Sequence, residues 1–182
     1  MLWLLALAIG LVAGLLTGGS VTNFARLRFR WPLLVIAAVV VREAVLLTPL
    51  NRVDGAQYVY ALSLAAIVVW TIPHFKQLPG IWLVTIGGGL NLVVILANGG
   101  RMPVAASLAG RLAQLGHSGQ YTLMGSGTQL NGLGDWISFG PVPEAYSPGD
   151  VVIALGLAVI AFLGTRPRKD QTRAAYSGPN LP

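Results

Sequence analysis

Ile81–Ala97 reads IWLVTIGGGLNLVVILA, seventeen consecutive residues without a charge. As an α-helix rising 1.5 Å per residue, such a run is about 25 Å long, close to the roughly 30 Å hydrocarbon core of a bilayer. Four further stretches share its character: Met1–Thr17, Trp31–Leu47, Tyr58–Ile72 and Pro148–Thr165. A run of this length and composition that recurs five times in one short chain points to lipid, not water, as the solvent.

The composition agrees. Of 182 residues, 54% are apolar and 10% charged, against roughly 25% charged in soluble domains. There is too little polar surface to wrap such a core, and disorder is excluded by the same numbers. The sequence therefore predicts an all-α polytopic membrane helix bundle, one membrane-embedded domain over residues 1–165. Its five transmembrane helices span about 1–17, 31–47, 58–72, 81–97 and 148–165, with an interfacial helical cap over 98–147 between the fourth and fifth. A flexible cytoplasmic tail is expected over 166–182.

Met1–Thr17 reads as a signal peptide or a first span. A signal peptide places its positive residues first, whereas Arg26, Arg28 and Arg30 follow the apolar run. That order favours a retained helix. With five spans the termini lie on opposite faces, and a C-terminus inside puts Arg26, Arg28, Arg30, Lys76, Arg166, Arg168, Lys169 and Arg173 in the cytoplasm. Arg52, Arg101 and Arg111 are left outside. The positive-inside rule selects this N-out, C-in orientation. The net charge of +6 is thereby read as topology and not as a nucleic-acid footprint, which would need a basic patch on an aqueous domain.

The outer segment 98–147 has its apolar residues scattered among Gly and Pro. Ala105–Leu115 reads as an interfacial helix, with Ser107, Arg111 and Gln114 on one face and Leu108, Leu112 and Leu115 on another, ended by Gly116. Trp136 and Phe139 suit the headgroup level. Ser147-Pro148-Gly149-Asp150 has the form of a capping box with Pro at the first helical position, the Asp standing in for the usual Glu. Asn98, Arg101, Asp135, Trp136, Ser147 and Asp150 are the polar and interfacial residues of this cap.

Three groups of residues are candidates for function. Gly10, Gly14 and Gly18 put a smooth stripe on helix one, and Gly87, Gly88 and Gly89 thin helix four. Such faces let helices approach closely in lipid, within the bundle in the plainer reading or against an external helix or lipid in the sharper one. Ionisable residues inside a span are functional candidates because an Arg at helix centre costs about 2.5–3.5 kcal/mol. Arg42 falls about 16–17 Å from the cytoplasmic end of its helix and Asn91 about 15 Å. With Glu43 and Ser63 they would form one polar layer, a small site for an anionic headgroup or solute. In the plainer reading Arg42 snorkels outward and pairs with Glu43, Asp150 or a loop carbonyl. Asp135, Glu144 and Asp150 are the acidic residues of the outer segment, and a pair of carboxylates can run acid/base chemistry, yet Asp135 and Asp150 each also suit a helix start.

No cofactor or metal site is expected. There is no Cys, hence no disulfide, thiol nucleophile or Cys-based metal site, and His74 and His117 have no partner at metal-ligand spacing. His74 reads as an imidazole meeting water at a helix end.

Four strings stand in order: Gly18-Gly19 followed by Asn23-Phe24-Ala25-Arg26-Leu27-Arg28; Asn98-Gly99-Gly100-Arg101-Met102-Pro103-Val104; Leu133-Gly134-Asp135-Trp136-Ile137; and Ser147-Pro148-Gly149-Asp150. Together they resemble a family of small bacterial integral membrane proteins, around 180 residues long, known as a domain of unknown function. The resemblance runs to about Gly164 and implies a multi-pass protein of the bacterial cytoplasmic membrane. It carries no activity or functional residue, and Arg42-Glu43 lies outside the strings.

The function expected first is a non-catalytic accessory or scaffolding subunit of a larger membrane assembly, with the bilayer and other membrane proteins as partners. A binding or transport protein would instead use the Arg42 and Asn91 layer and have a water-accessible cavity leading to Arg42. An enzyme acting on a lipid or isoprenoid headgroup would bring Asp135, Asp150 and Arg101 into one pocket.

Overall fold

A stretch with few polar side chains has only its own backbone to satisfy its amides and carbonyls, and each apolar run closes into a helix. The computed structural model describes residues 1–24, 29–110, 117–139 and 144–167. Among them five helices carry the fold: α1 (Leu2–Leu16), α2 (Pro32–Leu47), α3 (Ala56–Thr71), α4 (Ile81–Ala97) and α5 (Pro148–Gly164). The chain is mostly helical, 65% helix and 6% strand. One helical stretch, Ala56–His74, in which the 3-10 turn Ile72–His74 extends α3, is long and apolar enough to cross a membrane by length and composition. α1, α4 and α5 are shorter apolar helices.

The helices form a row in which α1 packs on α5, α5 on α4, α4 on α3 and α3 on α2. The last helix is thus inserted between the first and the fourth. Glycine makes room for it on both sides. Gly10 of α1 lies against the backbone of Ala158, and a Cβ on Gly14 would come 2.5 Å from Thr165 Oγ1. On the other side Gly87 of α4 faces Gly149 and Ile153, while a Cβ on Gly156 would sit 2.9 Å from Leu83 and Val84. Gly88 meets Val68 of α3. Gly18 and Gly89 face open space, Gly18 at φ 86 just past the end of α1.

At the end of the row where α5 stops, Leu78, Ile81 and Ile160 form the buried apolar cluster. His74, read in the sequence as a solvent-facing imidazole, is fully buried there. Its Nε2 accepts from the Arg30 amide at 2.9 Å and its Nδ1–H donates to the Trp70 carbonyl at 2.9 Å, the neutral tautomer in which both nitrogens are used. Trp70 donates from its indole to the Arg30 carbonyl at 2.6 Å. The ring therefore ties the start of α2 to the end of α3.

Among the described residues the cap at the other end differs from the expected helical one. It is built around β1 (Met102–Val104), β2 (His117–Ser118) and β3 (Tyr121–Leu123), in the order β1-β3-β2, with β1 parallel and β2 antiparallel to β3. Gly119, at φ 54, starts the two-residue turn of the β2–β3 hairpin. Asp135 runs beside β1 through a bridge to Val104, and Ile137 pairs with Tyr146. Met-Pro-Val and Tyr-Thr-Leu are short pieces flanked by positive-φ glycines at 99, 100, 110 and 119; too short for helices, they satisfy their buried backbone across strands. The described part of the expected helix Ala105–Leu115 holds only the 3-10 turn Ala106–Leu108. Residues 111–116, with Arg26, Arg28, Gly140 and the tail from 168, lie outside the described residues.

Candidate functional site

The cap end of the row holds a half-open cavity of about 640 Å³, within the 300–1,000 Å³ usual for ligand pockets. Every helix contributes: Leu2 of α1, Arg42 of α2, Tyr60 of α3, Asn91 of α4, Asp150 of α5. The sheet roofs it through Met102, Val104 and Tyr121, and Asp135 enters from beside β1.

The α4–α5 wall is set by the start of α5. Ser147 Oγ accepts from the Asp150 amide at 2.9 Å, and Asp150 Oδ2 accepts from the Ser147 amide at 3.0 Å, so the capping box is formed, with Pro148 at the first helical position. Asn91 completes it from the neighbouring helix, donating to Asp150 Oδ1 at 2.9 Å and accepting from the Ser147 hydroxyl at 2.8 Å. Both Asp150 oxygens are thereby engaged. Gly149 permits this approach, since any Cβ there would strike the Asn91 amide.

The opposite side of the cavity is different in kind. Arg42 Nε, the Tyr60 hydroxyl and Asp135 Oδ1 are buried atoms with no hydrogen-bond partner among the described residues. Tyr60 is 2% exposed and Asp135 6%. Arg42 makes no ion pair among the described residues, where the one pair joins the Met1 amino group to Glu144 at 3.0 Å. Burial, and secondarily the charge of Asp150, push the Asp135 carboxyl up to about 8, so at neutral pH it carries its proton and is a donor. Burial and the Asp135 charge likewise raise the Tyr121 phenol above its ordinary 10.0. At the rim Tyr146 donates to Glu144, and its oxygen accepts from the Leu2 amide at 3.3 Å. The Tyr146 hydrogen bond lowers the Glu144 carboxyl and raises the Tyr146 phenol.

The structure divides the polar layer expected from the sequence. Arg42 and Asn91 line the cavity; Glu43 and Ser63 do not. Successive helical residues point about 100° apart, so Glu43 turns away when Arg42 faces inward, and Ser63 is buried in α3 outside the lining. Of the carboxylates and Arg101 that an enzyme would gather, Asp135 and Asp150 line the cavity and Arg101 does not. Arg101 is half-buried with Nε unpartnered among the described residues. Asn98 clamps the cap to α4, donating to the Val94 and Gln129 carbonyls at 2.8 and 2.9 Å and accepting from the Gln129 amide at 2.8 Å. Trp136 is half exposed and donates to the Gly132 carbonyl at 2.9 Å. Tyr60 and Tyr121 were not singled out from the sequence as site residues, and nothing in their spacing shows that they turn inward.

Besides the Met1–Glu144 ion pair and the hydrogen-bonded Asp150 carboxylate, the wall offers the Arg42 cation, the Tyr60 and Asp135 groups and an apolar surface that includes Leu64, Ile95, Val104 and Ile153. Among the described residues there is no cluster of three or more His, Cys, Asp or Glu able to hold a metal. No curated protein and no solved structure matches the chain. A family model described as a family of unknown function, DUF5317, matches residues 26–162, a stretch that takes in Arg42, Tyr60, Asn91 and Asp150 on α2 to α5 and Tyr121 and Asp135 in the cap, and the chain belongs to that family.

Proposed function

We propose that this chain is a multi-pass protein of the bacterial cytoplasmic membrane that binds a small amphipathic ligand in the cavity at the outer end of its bundle. The cavity carries this reading: it is lined by Arg42, Tyr60 and Asp135, each with a buried polar atom that has no partner among the described residues, beside an apolar surface. Leaving such atoms unsatisfied costs about 1–3 kcal/mol each, and a ligand that pairs with them removes that penalty.

Support for the bilayer comes from the outer surface of the helices. Leu16, Leu33 and Leu47 are 82%, 76% and 80% exposed, and α2 has no buried residue; contiguous apolar surface of this kind marks contact with lipid or another protein. Arg30, Lys76 and Arg166 lie at the end away from the cavity, which makes that end cytoplasmic under the positive-inside rule.

A scaffolding role drew its support from the glycine faces. Gly10, Gly14, Gly87 and Gly88 are covered by the chain's own helices, so the balance of support moves to ligand binding. Catalysis by paired carboxylates has less, because Asp150 has both oxygens engaged.

Gentle detergent extraction followed by native mass spectrometry tests the proposal. The wild-type protein should retain a small-molecule mass, and Ala109→Trp, which fills the cavity from the cap side, should lose it while melting cooperatively. A wild-type protein that never carries or acquires a ligand, or one whose ligand is unaffected by Ala109→Trp, rejects it.

A further inference from the structure

The cavity wall is charged in a way that selects its ligand. Glu144 is held by Tyr146 and the Met1 amino group. Asp150 is held by Asn91 and the Ser147 amide. Neither Asp150 nor Arg42 has an ion-pair partner among the described residues, but the Asp150 oxygens are both hydrogen-bonded whereas Arg42 Nε is buried with no hydrogen-bond partner among them. Arg42 is half-buried with its Nε out of reach of water, and a partly desolvated charge is stabilised by an opposing one. The Tyr60 hydroxyl, 2% exposed, and an oxygen of the Asp135 carboxyl, 6% exposed, also belong to the lining residues and have no hydrogen-bond partner among the described residues.

We propose that the cavity takes an anionic amphiphile, its carboxylate or phosphate head held by the Arg42 guanidinium with the Tyr60 hydroxyl donating to the same head, and its tail lying along Leu64, Ile95, Val104 and Ile153. Guanidinium recognises both heads through paired, roughly parallel hydrogen bonds. A cationic head would meet Arg42 directly, and Asp135 opposes it only when ionised, which its burial disfavours at neutral pH. A purely polar anion would leave the apolar lining against water. The inference rests on the ligand-binding reading above and adds the sign and shape of the ligand.

The test uses the full chain in a non-ionic detergent, with decyl phosphate, decanoate, decyltrimethylammonium and inorganic phosphate as probes. Binding is followed by tryptophan fluorescence, Trp3 being part of the cavity lining, and by melting temperature. Decyl phosphate or decanoate should bind at least about tenfold more tightly than decyltrimethylammonium, a difference of about 1.4 kcal/mol. Arg42→Gln should abolish that preference while a cooperative melt is retained; Arg42→Lys should keep the preference for anions with weaker binding. Whichever of the two anionic probes binds more tightly identifies the head. Should Arg42→Gln fail to fold, the charge preference of the wild-type protein decides alone. Equal binding of the cationic and anionic probes, or preference for the cation, overturns the anionic assignment and leaves the ligand cavity standing. Inorganic phosphate binding as tightly as decyl phosphate overturns the amphiphile. No binding of any probe, together with no retained mass in native spectrometry, rejects the cavity reading itself.

Discussion

Asn91 and Asp150, fifty-nine positions apart in sequence, meet across the α4–α5 contact, where the Asn91 amide donates to Asp150 Oδ1 at 2.9 Å. The same side chain accepts from the Ser147 hydroxyl at 2.8 Å. One amide thereby joins the middle of α4 to the cap of α5. Asn91→Leu leaves the Ser147 hydroxyl and the Asp150 carboxylate each short of a partner, and a loss of about 1–3 kcal/mol is expected. Asn91→Asp, which sets a second carboxylate against Asp150, should melt lower still. Thermal unfolding in detergent measures both, and an Asn91→Leu protein as stable as wild type would refute the junction.

The capping box makes a separable prediction. Ser147→Ala combined with Asp150→Ala should lose on the order of 1–2 kcal/mol. Asp150→Asn should be mild, since its side-chain oxygen still accepts from Asn91 and only the bond from the Ser147 amide is forfeited. A severe Asp150→Asn loss of ligand binding in a stable protein would mean that the carboxylate acts on the ligand.

Glycine positions sort by what faces them. Gly10→Val forces α1 off the Ala158 backbone, and a marked fall in melting temperature is expected. Gly89 faces open space within α4, so Gly89→Ala should be tolerated and gain up to about 1 kcal/mol from helix propensity. Equal effects of the two substitutions would contradict the row order of the helices.

Asp135 sets a pH dependence. Its carboxyl is raised from an ordinary 3.8 to about 8 by burial and, secondarily, by Asp150. Between those values the folded chain holds a proton that the unfolded chain has released, so this contribution to stability is complete below about pH 4 and is lost as pH rises through about 8. The wild-type protein should therefore lose stability relative to Asp135→Asn as pH rises across that window. Melting curves of the pair, compared at each pH, cancel the opposing carboxylates such as Glu144. A constant difference from pH 4 to 9 would show that Asp135 ionises as an exposed carboxylate does.

Orientation is checked by reporter fusion. A reporter after Arg173 should read cytoplasmic and one inserted near Ser118 extracytoplasmic. The same side at both positions would remove the five-span arrangement.

Helix existence and extent were legible in the chain because they depend on local facts: an uncharged run such as Ile81–Ala97 has no polar side chains to compete for its backbone, and Ser147-Pro148-Gly149-Asp150 contains every atom of its own cap. Neighbour choice was not local. That α5 lies between α1 and α4 follows from glycines on three separate helices meeting backbone to backbone, and no spacing within one helix announces its partner. The same holds for the site. Arg42 and Asn91 were visible as polar residues in apolar runs, but the sequence spacing set Glu43 and Ser63 beside them, where helix rotation and packing instead brought Tyr60, Tyr121 and Asp135. The cap strands were missed because Met102–Val104 and Tyr121–Leu123 are too short to show a period, and strand pairing satisfies their backbone only once the chain has folded back on itself. Sequence alone determined which segments are helical and apolar, since that is a contest between a residue and its immediate solvent; the tertiary structure decided which polar atoms share a cavity, since that depends on contacts between residues as far apart in the chain as Leu2 and Tyr146.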